Sequence, residues 1–342
     1  GAAGGNQGRA PQKVLNDTIA MAAAMTIASG TTALAQDDPF IWLEDWHGEK
    51  AMAWVEAENA RTVGVLQNDP NYPGMVKDAI AIATATDRIP MPSLIGGRVY
   101  NFWRDAEHPQ GIWRHTSADD YAQSNPQWTT ALDLDALSKV EAKKWVWKGA
   151  TCLEPEEKRC LISLSDGGED ATEIREFDLE AGSFVEGGFA LSTSKQGVDW
   201  VDSDTLIASR DWGEGTLTAS GYPFVVKTLK RGAALSEAIE VFRGTKEDVG
   251  VWPAVLNDGA GNRAVIIVRS RTFFENDYIL VTPQGVRQLP LPAKSTLSGM
   301  IAGRVILKTS ESWSSGGVDV PTGSAVSVSL EDLRDGRTLT PT

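Results

Sequence analysis

A strand–turn–strand unit that recurs along the chain limits what it can fold into more than any other feature. Its clearest copy is RCLISLSDGGEDATEIREFDLEAGSFV, Arg159 to Val185. Leu161, Ser163 and Ser165 alternate with Cys160, Ile162 and Leu164, the period-two pattern of a strand buried on at least one face. Asp166 to Asp170 supplies turn chemistry through Gly167 and Gly168, because glycine reaches positive φ without a Cβ clash. Glu173 to Leu179 alternates again, and Glu180 to Ser183 turns the chain into Phe184 and Val185. A meander this short cannot bury its apolar faces alone, so it needs neighbours of the same kind.

Those neighbours are present. RVYNFWR from Arg98, DTLIASR from Asp204, RAVIIVR from Arg263 and RVILKTS from Arg304 restate the opening strand. Later strands are expected at Gly111 to Thr116, Phe224 to Leu229, Asp277 to Val281 and Ser324 to Leu330. The unit returns every ~40–60 residues, the spacing of propeller blades and not of short solenoid repeats. A β-sandwich of similar strands is the alternative. The regular return of three- to four-strand units favours an all-β propeller. Blades are expected at Ile89–Leu137, Lys144–Phe189, Gly197–Phe242, Val249–Leu289 and Leu297–Leu333.

The formal charge of −14 excludes nucleic acid as a partner, since phosphate binding needs a basic stripe and the chain has none. Twelve tryptophans would suit a carbohydrate surface, but Trp103, Trp113, Trp145 and Trp147 fall in strands, where they are expected to fill wedges between blades.

Three segments are expected in chain order. Residues 1–36 read as a secretory processing segment: Lys13, a short apolar run from Ile19 to Ile27, and the small-x-small site Ala33-Leu34-Ala35. The run is too short to span a bilayer, and the protein is expected in the periplasm or outside the cell. Residues 37–86 form a helical extension. Its first helix starts at Glu49, with Met52, Val55, Val63 and Leu66 on one stripe that Asn59 interrupts. Its second helix is expected from about Pro73 to Thr86, with Met75, Ala79 and Ile82 on one face. Residues 87–342 hold the blades, and the chain reads as cut after the last one, leaving an unpaired strand edge.

The segments DPFIWLE from Asp38 and AWVEAENA from Ala53 resemble the opening of the prolyl oligopeptidase family of serine peptidases, its secreted bacterial branch above all. LSDGGEDA from Leu164 with REFDL from Arg175 resembles the family's second blade. GVDW from Gly197, DWGEGTLT from Asp211 and SGYP from Ser220 resemble its third. The resemblance covers Asp38 to Thr342. It implies a propeller capping an α/β-hydrolase domain, about five of roughly seven blades being visible here. It also implies that residues 37–86 pack on that domain, and that the hydrolase half, with its catalytic Ser, Asp and His, is absent from this chain. That half would be an intramolecular partner, short peptides the substrates, and the propeller a size filter.

Independently of that resemblance, the residues themselves carry little catalytic chemistry. No glycine is followed two positions later by serine, so the G-x-S-x-G elbow of a hydrolase nucleophile is missing. His47, His108 and His115 lack a serine and carboxylate in any triad pattern, and no catalytic residue is assigned. No metal-ligand spacing and no cofactor motif occurs, and Gly213-x-Gly215 reads as a loop. Glu173/Glu176 and Glu156/Glu157 are the carboxylate pairs a propeller glycosidase would need. A non-enzymatic propeller that binds a ligand or partner is the other alternative. Cys152 and Cys160 flank a short turn and are expected to pair in an exported protein; two separately buried thiols remain the alternative.

Overall fold

The computed structural model describes residues 38–45, 47–85 and 87–342. The expected processing segment lies outside the described residues, as does Thr86. The chain divides after Ala83 into two units.

The first unit carries a short 3₁₀ turn at Ile41–Glu44 followed by two helices, α1 (Glu49–Leu66) and α2 (Tyr72–Ala83). The second helix thus ends short of the expected Thr86. The stripe read from the sequence is real in its spacing but stays exposed. Met52 is 43% accessible and Leu66 55%, and Ala51 is the one buried residue of α1.

The second unit is a series of antiparallel blades. Blade one is β1 (Ser93–Ile95), β2 (Arg98–Trp103), β3 (Ile112–Ser117) and β4 (Thr129–Asp133). Blade two is β5 (Trp145–Cys152), β6 (Arg159–Asp166), β7 (Thr172–Asp178) and β8 (Ser183–Phe184), with β9 (Ala190–Ser194) also pairing to β7. Blade three is β10 (Gly197–Asp202), β11 (Thr205–Ser209), β12 (Val225–Lys230) and β13 (Ile239–Arg243). Blade four is β14 (Gly250–Asn257), β15 (Arg263–Ser270), β16 (Asn276–Thr282) and β17 (Gly285–Gln288). Blade five joins β18 (Ser295–Ile301) and β19 (Arg304–Thr309) to β22 (Ala325–Ser329). The hairpin of β20 (Trp313–Ser315) and β21 (Val318–Val320) lies between the last two in sequence.

Each blade is a meander, so its apolar faces are covered by the next blade. Tyr100, Trp113 and Leu132 of blade one pack with Trp145, Ile162, Leu164 and Phe177 of blade two. The ring of Trp147 stacks on Phe102 at 5.2 Å. Trp103 departs from expectation. Its Nε1 donates to Asp105 Oδ2 at 2.8 Å, and the Arg114 guanidinium lies 4.2 Å over its ring. Between blades four and five the wedge is mostly aliphatic, with Ile266, Leu280, Val305, Leu307 and Val328 packed together with Tyr278. A buried ionic stitch joins blades two and three. Glu176, with its side chain 1% accessible, accepts from Arg231 Nη1 at 2.7 Å and from Phe189 N at 2.9 Å.

Three short helices escaped the period-two reading: α3 (Ala118–Tyr121), α4 (Leu134–Glu141) and α5 (Leu330–Asp335). Each begins on a capping side chain. Ser117 Oγ accepts from Asp120 N at 3.1 Å, Asp133 Oδ1 from Ala136 N at 2.9 Å, and Ser329 Oγ from Asp332 N at 3.2 Å. The last helix corrects the end of blade five, which was read as strand to Leu330. After Gly336, in the left-handed region at φ 69°, the chain turns back, and Thr342 exchanges both backbone hydrogen bonds with Ser327 at 2.8 and 3.0 Å. The outer edge of β22, expected to be bare, is therefore partly paired.

Candidate functional site

The first strands of successive blades run beside one another: β5 beside β10, β10 beside β14, and β14 beside β18. Toward the ends of β1, β5, β10 and β14 lies a partly open cavity of about 310 Å³, whose wall includes Ile95, Thr151, Asp199, Val255 and Arg263. Hydrogen bonds around it tie the blades together. Trp200 Nε1 donates to Thr151 O at 2.9 Å, Val255 N to Asp199 Oδ2 at 2.8 Å, and Arg263 Nη2 to Trp200 O at 2.6 Å. Burial pushes the Asp199 carboxyl up from its ordinary range, against the pull of two backbone donors and Arg263. Glu154, on the cavity rim, is pushed the same way by burial first and then by the charges of Glu157 and Asp199.

The loop that bears Glu154 and Glu157 joins β5 to β6. Cys152 and Cys160 sit directly opposite in the strand register at its base, with their sulfurs 2.02 Å apart. A second cavity, of about 480 Å³, lies on the other side of Glu157, between blades one and two, and includes Arg98, Tyr100, His115 and Glu180. Sequence reasoning missed this constellation. Its members lie on four separate blades, and no local pattern marks them.

The histidines do not converge on a nucleophile. His47 belongs to the first unit. His115 Nδ1 lies 3.3 Å from Arg98 Nη1, and burial, then that cation, lowers its pKa below the ordinary range. His108 Nδ1 lies 3.0 Å from Asp105 Oδ1 in the β2–β3 connection, but this carboxylate is engaged elsewhere. The Trp103 ring N–H first, then the His108 and Glu107 groups, hold Asp105 at about 2. Such an acid orients its loop and is a poor proton acceptor.

The suspected glycosidase pair is corrected too. Glu173 and Glu176 are three apart on β7, so they project to opposite faces. Glu173 pairs with Lys143 at 3.0 Å, while Glu176 holds Arg231. Glu156 and Glu157 both line the larger cavity, and only Glu157 also faces the smaller one. Asp166 to Asp170 forms the β6–β7 turn, with Gly167 and Gly168 at φ 76° and 91°. Among the described residues no group of three or more His, Cys, Asp or Glu could hold a metal ion, and no helix is long and apolar enough to cross a membrane.

Repeated antiparallel blades of three to five strands, with their first strands side by side, define a β-propeller. The sequence model of the prolyl oligopeptidase N-terminal β-propeller domain matches residues 24–284, and the chain belongs to that family. It is 44% identical over 300 residues to the uncharacterized peptidase y4nA of Sinorhizobium fredii, covering 85% of this chain and 41% of that protein. It is 30% identical to the uncharacterized peptidase RP174 of Rickettsia prowazekii, covering 85% of this chain and 42% of the relative. The solved post-proline cleaving enzyme from Rickettsia typhi superposes with a TM-score of 0.77 at 28% identity, over 88% of this chain and 46% of the enzyme. The chain thus spans less than half the length of each of these three relatives.

Proposed function

We propose that this chain is the propeller part of a prolyl-oligopeptidase-like serine endopeptidase acting on short peptides, and that the propeller works as its size filter. The observation that carries the reading is the cavity at the ends of the first strands, in a domain of this family. An opening of about 310 Å³ has room for a few side chains of an extended peptide and none for a folded domain. In this reading the nucleophile, base and oxyanion donors belong to the part that the longer relatives have in addition. Acyl transfer needs all three together.

Residues 37–86 would pack on that same part, which would cover the exposed Met52, Val63 and Leu66 of α1. The segment before Gln36 would be removed on export to the periplasm or beyond, and the Cys152–Cys160 pair would form there. N-terminal sequencing of exported material is expected to start near Gln36 or Asp37.

The test is hydrolysis of a short proline-containing chromogenic peptide by this chain and by a version extended through a catalytic half. The extended protein is expected to turn over the peptide, to be blocked by a serine-directed reagent, and to spare folded proteins. The present chain is expected to give no turnover. Inhibitor-sensitive turnover by the present chain, surviving repurification, would place the catalytic groups within it and overturn the reading. Equal cleavage of short peptides and folded proteins would remove the filter.

A further inference from the structure

The disulfide-based loop between β5 and β6 does more than turn the chain. It is fastened at its root by the Cys152–Cys160 bond and by Leu153 N donating to Arg159 O at 2.8 Å. Inside it, Glu157 N donates to Leu153 O at 2.8 Å. From this fixed base one side chain leaves blade two. Glu157 Oε2 accepts the backbone N–H of Gly96, in the β1–β2 turn of blade one, at 2.7 Å. A carboxylate on a backbone donor is among the stronger kinds of hydrogen bond. Gly96 and Gly97 both have positive φ, 54° and 74°, so the turn is tight and presents its N–H outward.

The position of that bond gives it consequence. Glu157 lines both the 310 Å³ cavity of the first strands and the 480 Å³ cavity between blades one and two. Ile95, the residue before Gly96, lines both as well. The wall between the two spaces is therefore the Glu157–Gly96 contact and the residues beside it. We infer that Glu157 is a specificity-determining latch: its bond to Gly96 keeps the two cavities apart, and the disulfide holds the loop so that the bond persists. Released, the spaces join and the opening accepts longer or bulkier peptides. The claim about peptides rests on the filter reading above; the latch itself does not.

Two arms separate them. The first uses the present chain and follows amide hydrogen exchange at Gly96. In Glu157→Ala the Gly96 amide loses its acceptor and is expected to exchange about tenfold faster or more. Glu157→Gln keeps an acceptor oxygen and is expected to stay close to the parent, while the reduced protein is expected to fall between. Strand amides of β6 and β7 serve as the folding control, and they should not change in either Glu157 variant. The second arm uses the extended peptidase and a length series of proline-containing peptides. Glu157→Ala is expected to raise kcat/KM for the longest peptides about threefold or more, leaving the shortest unchanged. Glu157→Gln should keep the parental profile. Unchanged Gly96 exchange in Glu157→Ala would overturn the latch. Faster exchange with an unchanged length profile would overturn its role in selection. An extended protein inactive on every peptide would sink the peptidase reading, and with it the selection role, while the exchange arm still decides the latch.

Discussion

The helices before the blades and the blades themselves both carry apolar stripes, and the two are buried to very different degrees. In α1, Met52, Val55, Val63 and Leu66 share a face and are all exposed; in α2 no residue is buried. In the blades, Leu164, Ile207, Ile266 and Leu307 are inaccessible to solvent. The period of the pattern decides its local shape in both regions. What differs is supply. A blade is repeated, so each strand face meets another flat apolar face of the same pitch in its neighbour. A helix stripe is met only if some other element offers a groove for it. Regular patterning therefore predicts an element, while repetition predicts that the element will be buried.

Equal truncations in the two regions probe this directly, and the blade should give the largest effect. Leu307→Ala removes a fully buried side chain from the wedge of blades four and five and is expected to cost about 3 kcal/mol, by transfer and cavity terms together. Denaturant unfolding measures it. A loss below about 1 kcal/mol would mean that the wedge collapses freely around the gap.

Next comes the loop at the cavity. Replacing Cys152 and Cys160 together by serine is expected to cost about 2–3 kcal/mol, with the entropy of a short closed loop as the source. Thermal melts of the oxidised and the doubly substituted protein give the number. Two free thiols in protein purified without reductant would show that the pair does not form in solution.

A smaller effect tests the charges on the rim. Glu154 has its folded pKa raised, by burial first and then by Glu157 and Asp199, so ionisation is harder in the folded than in the unfolded protein. Below the unfolded value both states are protonated and the residue is neutral for stability. Above the folded value the ionised form costs stability. Glu154→Gln is therefore expected to raise Tm slightly at pH 7, and the gain should vanish as pH falls below about 4. A gain of the same size at both pH values would mean that the charge is not its cause.

The smallest effect belongs to the helix. Leu66→Ala removes the same atoms as Leu307→Ala from a side chain that is 55% accessible, and is expected to change stability by less than about 0.5 kcal/mol. A cost near that of Leu307→Ala would break the comparison, since it would show that the α1 stripe is covered in solution.

Legibility followed the same division. The propeller could be read because alternation marks each strand and spacing marks each blade. The copies at Arg98, Arg159, Arg263 and Arg304 are now β2, β6, β15 and β19, the second strands of their blades. The short helices went unread, although Ser117, Asp133 and Ser329 each stand before an acidic first turn, a capping signal that the sequence displays. The return of Thr342 to Ser327 had no local sign, because a residue's pairing partner is not written in its neighbours.

By itself the sequence determined the type and order of the elements, since side-chain period, glycine at positive φ and capping chemistry all act within a few residues. For the two cysteines it gave an expectation of pairing and left separately buried thiols open, because their spacing across a short turn permits both. Only the tertiary structure decided which carboxylates share a space. Glu173 and Glu176 look like a pair in the chain and are divided by the pleat of β7. Glu154 and Glu157 of the β5–β6 loop meet Asp199 of blade three and Arg263 of blade four around one cavity. Electrostatic pressure on Glu154 and Asp199 depends on distance and burial, and both are fixed only once the blades have closed on one another.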